Sequence, residues 1–162
     1  MHQIFYVNRS INFVCCRHPT RNILIVEISS ERPGRMTATD DVRTIEGVIQ
    51  SYLDGLHDGD AAKIASAFHP TSALTSVTDD GELVITPRDV WLDRVRTRPS
   101  PKQQGLARHD EVLSIDLVSP TMAHVKLKCA IPPRFFTDQL SLLKIEGRWQ
   151  IAQKVFMTEM RE

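Results

Sequence analysis

The chain predicts an α+β domain in which a curved antiparallel sheet wraps around helices, and three observations carry that reading. Its 162 residues, 41% hydrophobic and 25% charged, have ordinary globular composition and suffice for one core. The helical signals come first, as two helices, a short hairpin and a third helix. The last third of the chain then alternates apolar and polar residues with period two through three long strands.

The first helix is expected to be capped at Thr39 and Asp40. Its apolar positions Val42, Ile45, Ile49, Tyr52, Leu53 and Leu56 recur at spacings of three and four, which puts them on one face. Asp58-Gly59 ends it, because glycine accepts the left-handed cap conformation, and Asp60 starts a short helix through Ile64 and Phe68. His69-Pro70 stops that one. Ala73, Leu74 and Val77 precede the turn signal Asp79-Asp80-Gly81, and Glu82 to Ile85 return as a strand. In Thr86-Pro87-Arg88-Asp89 a hydroxyl cap, a proline at the first helical position and a carboxylate at the third predict a helix carrying Val90, Trp91 and Val95. A loop over 98–104 closes it.

Beyond that loop the alternation assigns faces. Ala107, His109, Glu111, Leu113, Ile115 and Leu117 share one side of a strand. In the next, Ala123, Val125, Leu127, Cys129 and Ile131 oppose His124, Lys126 and Lys128. Phe136, Asp138, Leu140 and Leu142 alternate with Thr137, Gln139 and Ser141, so Asp138 falls on the apolar side. A bulge is expected at Leu142-Leu143, where the parity breaks. Glu146-Gly147 makes a tight turn, and Trp149, Ile151 and Val155 continue as the last strand.

Residues 1–35 differ in kind. They hold five Arg and two Glu, and Arg32-Pro33-Gly34-Arg35 is a linker-like break just before the first helix. Their two short apolar runs lack the flanks of a signal peptide. They are expected to be an upstream extension, poorly ordered or accessory, with the domain spanning 36–162. An accessory strand or targeting arm is the alternative.

Charge and motifs narrow the function. Twenty Lys plus Arg balance twenty Asp plus Glu, so nothing draws the whole chain to nucleic acid or to an anionic membrane. No apolar run approaches the ~18 residues that span a bilayer. Cys15, Cys16 and Cys129 form neither a metal-ligand spacing nor a disulfide framework, which fits a reducing, cytoplasmic setting. Gly-rich phosphate loops, paired histidines at metal spacing and a nucleophile elbow are absent from the sequence, so no cofactor, metal or Ser-His-Asp chemistry is expected. Arg94, Arg96, Arg98 and Lys102 form a basic cluster that reads as a solvated complement to a helix C-terminus, with phosphate binding as the alternative.

Phe68-His69-Pro70 after two helices, and the run from Phe136-Thr137-Asp138-Gln139-Leu140 through Glu146-Gly147-Arg148-Trp149 to Lys154-Val155-Phe156, resemble the putative lumazine-binding family. That family lies in the nuclear transport factor 2-like superfamily, and the likeness spans about 39–157. The resemblance implies a cone-shaped, cystatin-like α+β barrel with an apolar pocket between sheet and helices, and a homodimer formed through the sheet. Ketosteroid isomerase, scytalone dehydratase, limonene epoxide hydrolase and SnoaL-type polyketide cyclases share that superfamily. The likeness carries a fold more directly than an activity.

One carboxylate and one imidazole are the candidate catalytic groups. A carboxylate on an apolar face is costly when ionised and unpaired, so Asp138 needs a partner or a raised pKa, and either suits a general acid or base. A structural pairing with Lys154 across the final hairpin is the alternative. His69 can relay a proton from the helix–strand junction, or simply bond backbone carbonyls before Pro70. Tyr52 can donate a hydroxyl to a ligand oxygen, and Trp91 can stack on a flat ring. His109, Phe136 and Lys154 complete the candidate lining. Two functions follow: a binding domain for a small apolar or aromatic ligand, or a cofactor-independent isomerase, dehydratase or cyclase using an Asp-His pair. A dimerisation module with a filled pocket is a third. Catalysis requires two titratable groups within reach of one ligand atom; binding requires only one polar anchor.

Overall fold

A computed structural model describes residues 37–161, and the expectations for residues 1–35 lie outside the described residues. The elements run α1 (Ala38–Asp58), α2 (Ala61–Ala67), β1 (Ala73–Val77), β2 (Leu83–Pro87), α3 (Arg88–Thr97), β3 (Glu111–Ser119), β4 (Met122–Ile131), β5 (Arg134–Ile145) and β6 (Arg148–Met160). The six strands form one sheet in the order β2-β1-β6-β5-β4-β3. All neighbours are antiparallel except β1 and β6, which run parallel.

α1 is closed at both ends. Its cap is Thr37, two residues before the expected one: the Thr37 hydroxyl accepts from the Asp40 amide, and the Asp40 carboxylate accepts from the Thr37 amide in return. Asp40 therefore serves as the far side of a capping box. Gly59 takes φ 74° at the C-cap, and the Asp60 side chain accepts from the amides of Ala62 and Lys63 to open α2. β2 runs on to Pro87, so Thr86 is a strand residue paired with Leu74 and α3 begins without a side-chain cap. Val90 stands exposed, and the buried face of α3 is Trp91, Leu92 and Val95.

The core lies where the helices meet the inner face of the sheet. Ile45, Ile49 and Tyr52 of α1 pack in one cluster with Val125, Leu127, Leu140, Leu142 and Ile151. The rings of Tyr52, Phe68 and Trp91 meet edge to face with centroids 5.3–6.2 Å apart. Asp41, buried near the start of α1, accepts from Lys144 Nζ at 2.6 Å and Trp149 Nε1 at 2.9 Å, which ties that end of the helix to the β5–β6 hairpin. The hairpin turns through Glu146 and Gly147 at φ 50° and 79°, the two positive values of the tight turn whose twist matches its strands.

The strand alternation holds along β4, where the apolar parity is buried and His124, Lys126 and Lys128 face out. It is weaker on β3, an edge strand that starts only at Glu111, so Ala107 and His109 belong to the approach loop. The bulge is in the facing strand. Ser141 pairs with Gln153 and Leu142 with Ile151, which leaves Ala152 as the extra residue of β6. One inserted residue reverses the parity after it. Val155 is accordingly 48% exposed rather than inward, and Lys154 and Phe156 take the inner face.

Candidate functional site

The bulge at Ala152 builds the site. It turns Lys154 inward opposite Leu140, where the ammonium reaches Asp138 on the neighbouring strand. Tyr52 arrives on the buried stripe of α1 from the other side of the core. Three side chains far apart in sequence thus meet with almost no exposure, Asp138 at 0%, Tyr52 at 0% and Lys154 at 4%.

Asp138 Oδ2 accepts from Lys154 Nζ at 2.6 Å and from Tyr52 Oη–H at 2.8 Å, with the Cys129 thiol at 3.8 Å. Lys154 Nζ also donates to Tyr52 Oη at 2.7 Å. Burial, and then the Asp138 charge, push the Tyr52 hydroxyl well above its usual range and the Cys129 thiol up to about 12. Both keep their protons at neutral pH, so the tyrosine is a donor and the cysteine is no nucleophile. Asp138 Oδ1 has no hydrogen-bond partner among the described residues although it is buried. An ammonium has three N–H donors and Lys154 uses two here, leaving one for a ligand. The rings of Phe156, Tyr52 and Phe136 surround it, with centroids 4.8, 5.2 and 5.8 Å from Nζ.

Lys154, Tyr52, Trp91, Phe136 and Phe156 border a cavity of about 220 Å³ between α1, α3 and the open end of the sheet. Asp138 does not border it. The group that faces the hollow is the amine, with the carboxylate behind it, so Asp138, expected as a catalytic group, stands behind the cavity wall. A larger hollow, about 290 Å³, lies at the β3 side of the sheet. His109 and Glu111 line it, and His109 packs on Phe135 at 5.4 Å. We take the smaller cavity as the site, because Lys154 and Tyr52 of the buried titratable cluster stand in its wall.

His69 is not brought to Asp138. Its backbone N–H goes to the Ile151 carbonyl at 2.9 Å, and its ring Nδ1 lies 2.7 Å from Thr71 Oγ1. The parallel bridge between Phe68 and Ile151 fixes the chain there, and the imidazole borders neither hollow. Tyr52 and Lys154 take the place expected for it. The basic cluster after α3 divides: Arg96 pairs with Asp93 and Lys102 with Asp58, but Arg94 and Arg98 border the cavity, joined by Arg134 from the start of β5. Sequence reasoning missed Arg134 and Phe156. The first precedes the alternating run, and the second lies past a bulge that the β6 sequence does not announce. Among the described residues no group of three His, Cys, Asp or Glu is placed to hold a metal, and no helix is long and apolar enough to cross a membrane.

A family model described as putative lumazine-binding matches residues 40–157. A curated relative named aldolase FrzH, from Cladobotryum sp, is 29% identical over 110 residues, covering 65% of this chain and 81% of that protein. Among solved structures, an NTF2-like protein of unknown function from Shewanella baltica is 25% identical, with a TM-score of 0.69 over 78% of this chain and 100% of that one. A domain with a cystatin-like fold from Nostoc punctiforme is 15% identical, with a TM-score of 0.59 over 78% of this chain and 81% of its own.

Proposed function

The chain belongs to the putative lumazine-binding family and has its NTF2-like fold, and from that premise we propose a small-molecule pocket that activates a carbonyl group without a cofactor. The coarse function is ligand binding. The finer reading is lyase or isomerase chemistry of the aldol type, in which negative charge develops on a carbonyl oxygen. Its chief support is the Lys154 ammonium at the cavity wall, held 2.6 Å from Asp138 Oδ2 and 2.7 Å from Tyr52 Oη, which leaves one N–H donor for a ligand oxygen. The third Lys154 N–H donates to the carbonyl oxygen and strengthens as enolate charge builds, while the α-proton passes to a solvent or buffer base, since no carboxylate or imidazole among the described residues borders the cavity. Asp138 touches no ligand in this scheme. It is a positioning residue, holding the ammonium and the hydroxyl on one oxygen so that neither must reorganise during reaction. The aromatic wall of Trp91, Phe136 and Phe156 suits a flat ligand, and 220 Å³ sets its size below that of a drug-like molecule. The relative named aldolase agrees with the reaction type.

The test is exchange of α-protons for deuterium in a panel of neutral aryl ketones and β-hydroxyketones, followed by NMR. The intact protein should accelerate exchange of at least one compound, and Lys154→Met and Tyr52→Phe should lose at least tenfold of that acceleration. Exchange no faster than in buffer across the panel would leave only the binding function. The proposal includes a homodimer through the outer sheet face, where His124, Lys126 and Lys128 stand exposed. Sedimentation as a monomer at micromolar concentration would remove it.

A further inference from the structure

The cavity has a charge pattern that carbonyl activation alone does not require. Four cations border it and no carboxylate does: buried Lys154, half-buried Arg98, and exposed Arg94 and Arg134. Asp138 neutralises only the lysine, from behind. Among the described residues no acid comes within 4 Å of Arg94, Arg98 or Arg134, and the Arg98 guanidinium makes no hydrogen bond at all. Nearby arginines behave differently, since Arg88 and Arg96 each hold an aspartate at 2.8 and 2.5 Å.

A half-buried guanidinium with five unmet donors is costly, and a second cation close by raises that cost. Burial, and then the Arg134 charge, pull Arg98 below its usual range, though a guanidinium stays protonated at any physiological pH. The C-terminus of α3 presents only about half a negative charge, too little to balance three arginines. Water hydrates the exposed arginines, but a planar anion fits a guanidinium fork through two parallel hydrogen bonds and also offsets the repulsion among these cations.

We infer that the ligand is an oxo acid: its carbonyl end reaches Lys154, and its carboxylate is held by Arg98 with Arg134 and Arg94 in the same cavity. This rests on the pocket proposed above but not on its chemistry, and it names the substrate class. The arginines also make a positive funnel that raises the local concentration of anions and speeds their entry.

The experiment compares 3-benzoylpropionate with its methyl ester, a neutral molecule with the same ketone and ring, by titration calorimetry on the full chain. The acid should bind at least tenfold more tightly than the ester, and raising salt from about 0.05 to 0.5 M should weaken the acid alone, because screening acts on the charged pair. Arg98→Met with Arg134→Met should erase the preference by weakening the acid far more than the ester. Arg98→Lys, which keeps the charge but loses the fork, should retain part of it and guards against a folding defect in the double variant. Inorganic phosphate as competitor separates the anion types: displacement of the acid at lower concentration than benzoate requires would assign the arginines to a phosphate and overturn the oxo-acid inference. Equal affinity for acid and ester, a preference that survives loss of both arginines, or no binding of either compound at millimolar concentration would also overturn it. Ketone exchange without acid preference would sink this inference and spare the proposed chemistry, whereas acid preference without exchange would do the reverse.

Discussion

Removing the Lys154 ammonium tests the Asp138–Lys154 pair most directly. At 2.6 Å the two charges attract by roughly 6 kcal/mol at an effective dielectric constant of about 20, but each lost several kcal/mol of hydration on burial. The intact pair therefore contributes little net stability, while half of it is a liability. Lys154→Met leaves a carboxylate at 0% exposure with only Tyr52 and Cys129 as donors, at a cost of about 3–5 kcal/mol. For a domain of this size that is a fall in Tm of roughly 10–20 °C. Asp138→Leu strands the ammonium in the same way. The double variant removes both charges and should recover most of the loss, giving a coupling energy of about 3 kcal/mol or more in a chemical-denaturation cycle. It should nonetheless fail in the ketone exchange assay, which separates stability from function. Single effects that add to the double effect within about 0.5 kcal/mol would refute the reasoning, since the two charges would then not sustain each other.

Tyr52→Phe keeps the ring contacts with Phe68 and Trp91 but removes the hydroxyl between Lys154 and Asp138; it should cost about 1–2 kcal/mol by urea unfolding, and a neutral result would mean that the hydroxyl is dispensable to the buried network. Asp41 gives a pH signature. Its bonds from Lys144 and Trp149 hold its carboxyl below the usual range, so its stabilisation is complete above the unfolded value of about 4 and is lost as pH falls through the lower folded value. Asp41→Asn should make Tm fall less steeply below about pH 4, and an unchanged acid limb would show that this carboxylate is not what acid releases. Gly55→Ala would place a methyl 2.7 Å from Ile64 Cγ1 and 2.9 Å from the Asp60 carbonyl, where α1 crosses α2. Backbone cannot yield as a side-chain tip does, so a loss of about 1–3 kcal/mol is expected, and a wild-type Tm would contradict the packing described.

Local rules made much of the domain legible in sequence. The apolar stripe of α1, the glycine after it, the Asp60 cap and the parity of β4 and β5 each depend on neighbours a few residues away, and these are the parts that hold. Asp138 could be singled out for the same reason, because a period-two pattern alone puts it on the apolar face. Its partners were less legible. Lys154 counted as a pairing alternative, but a regular β6 continuing from Trp149 and Ile151 would have sent Val155 inward in its stead.

What only the tertiary structure decided is how distant elements meet. A bulge is a mismatch between two strands, so its place in β6 follows from the β5 register and not from the β6 residues alone. That one inserted residue selects lysine over valine as the buried side chain. The choice of Tyr52 over His69 as third member depends on where α1 crosses the sheet. The arginines share one hollow only because the end of α3 and the start of β5 both border it. Sequence periodicity sets which face a side chain takes; the packing of one element on another sets what it finds there.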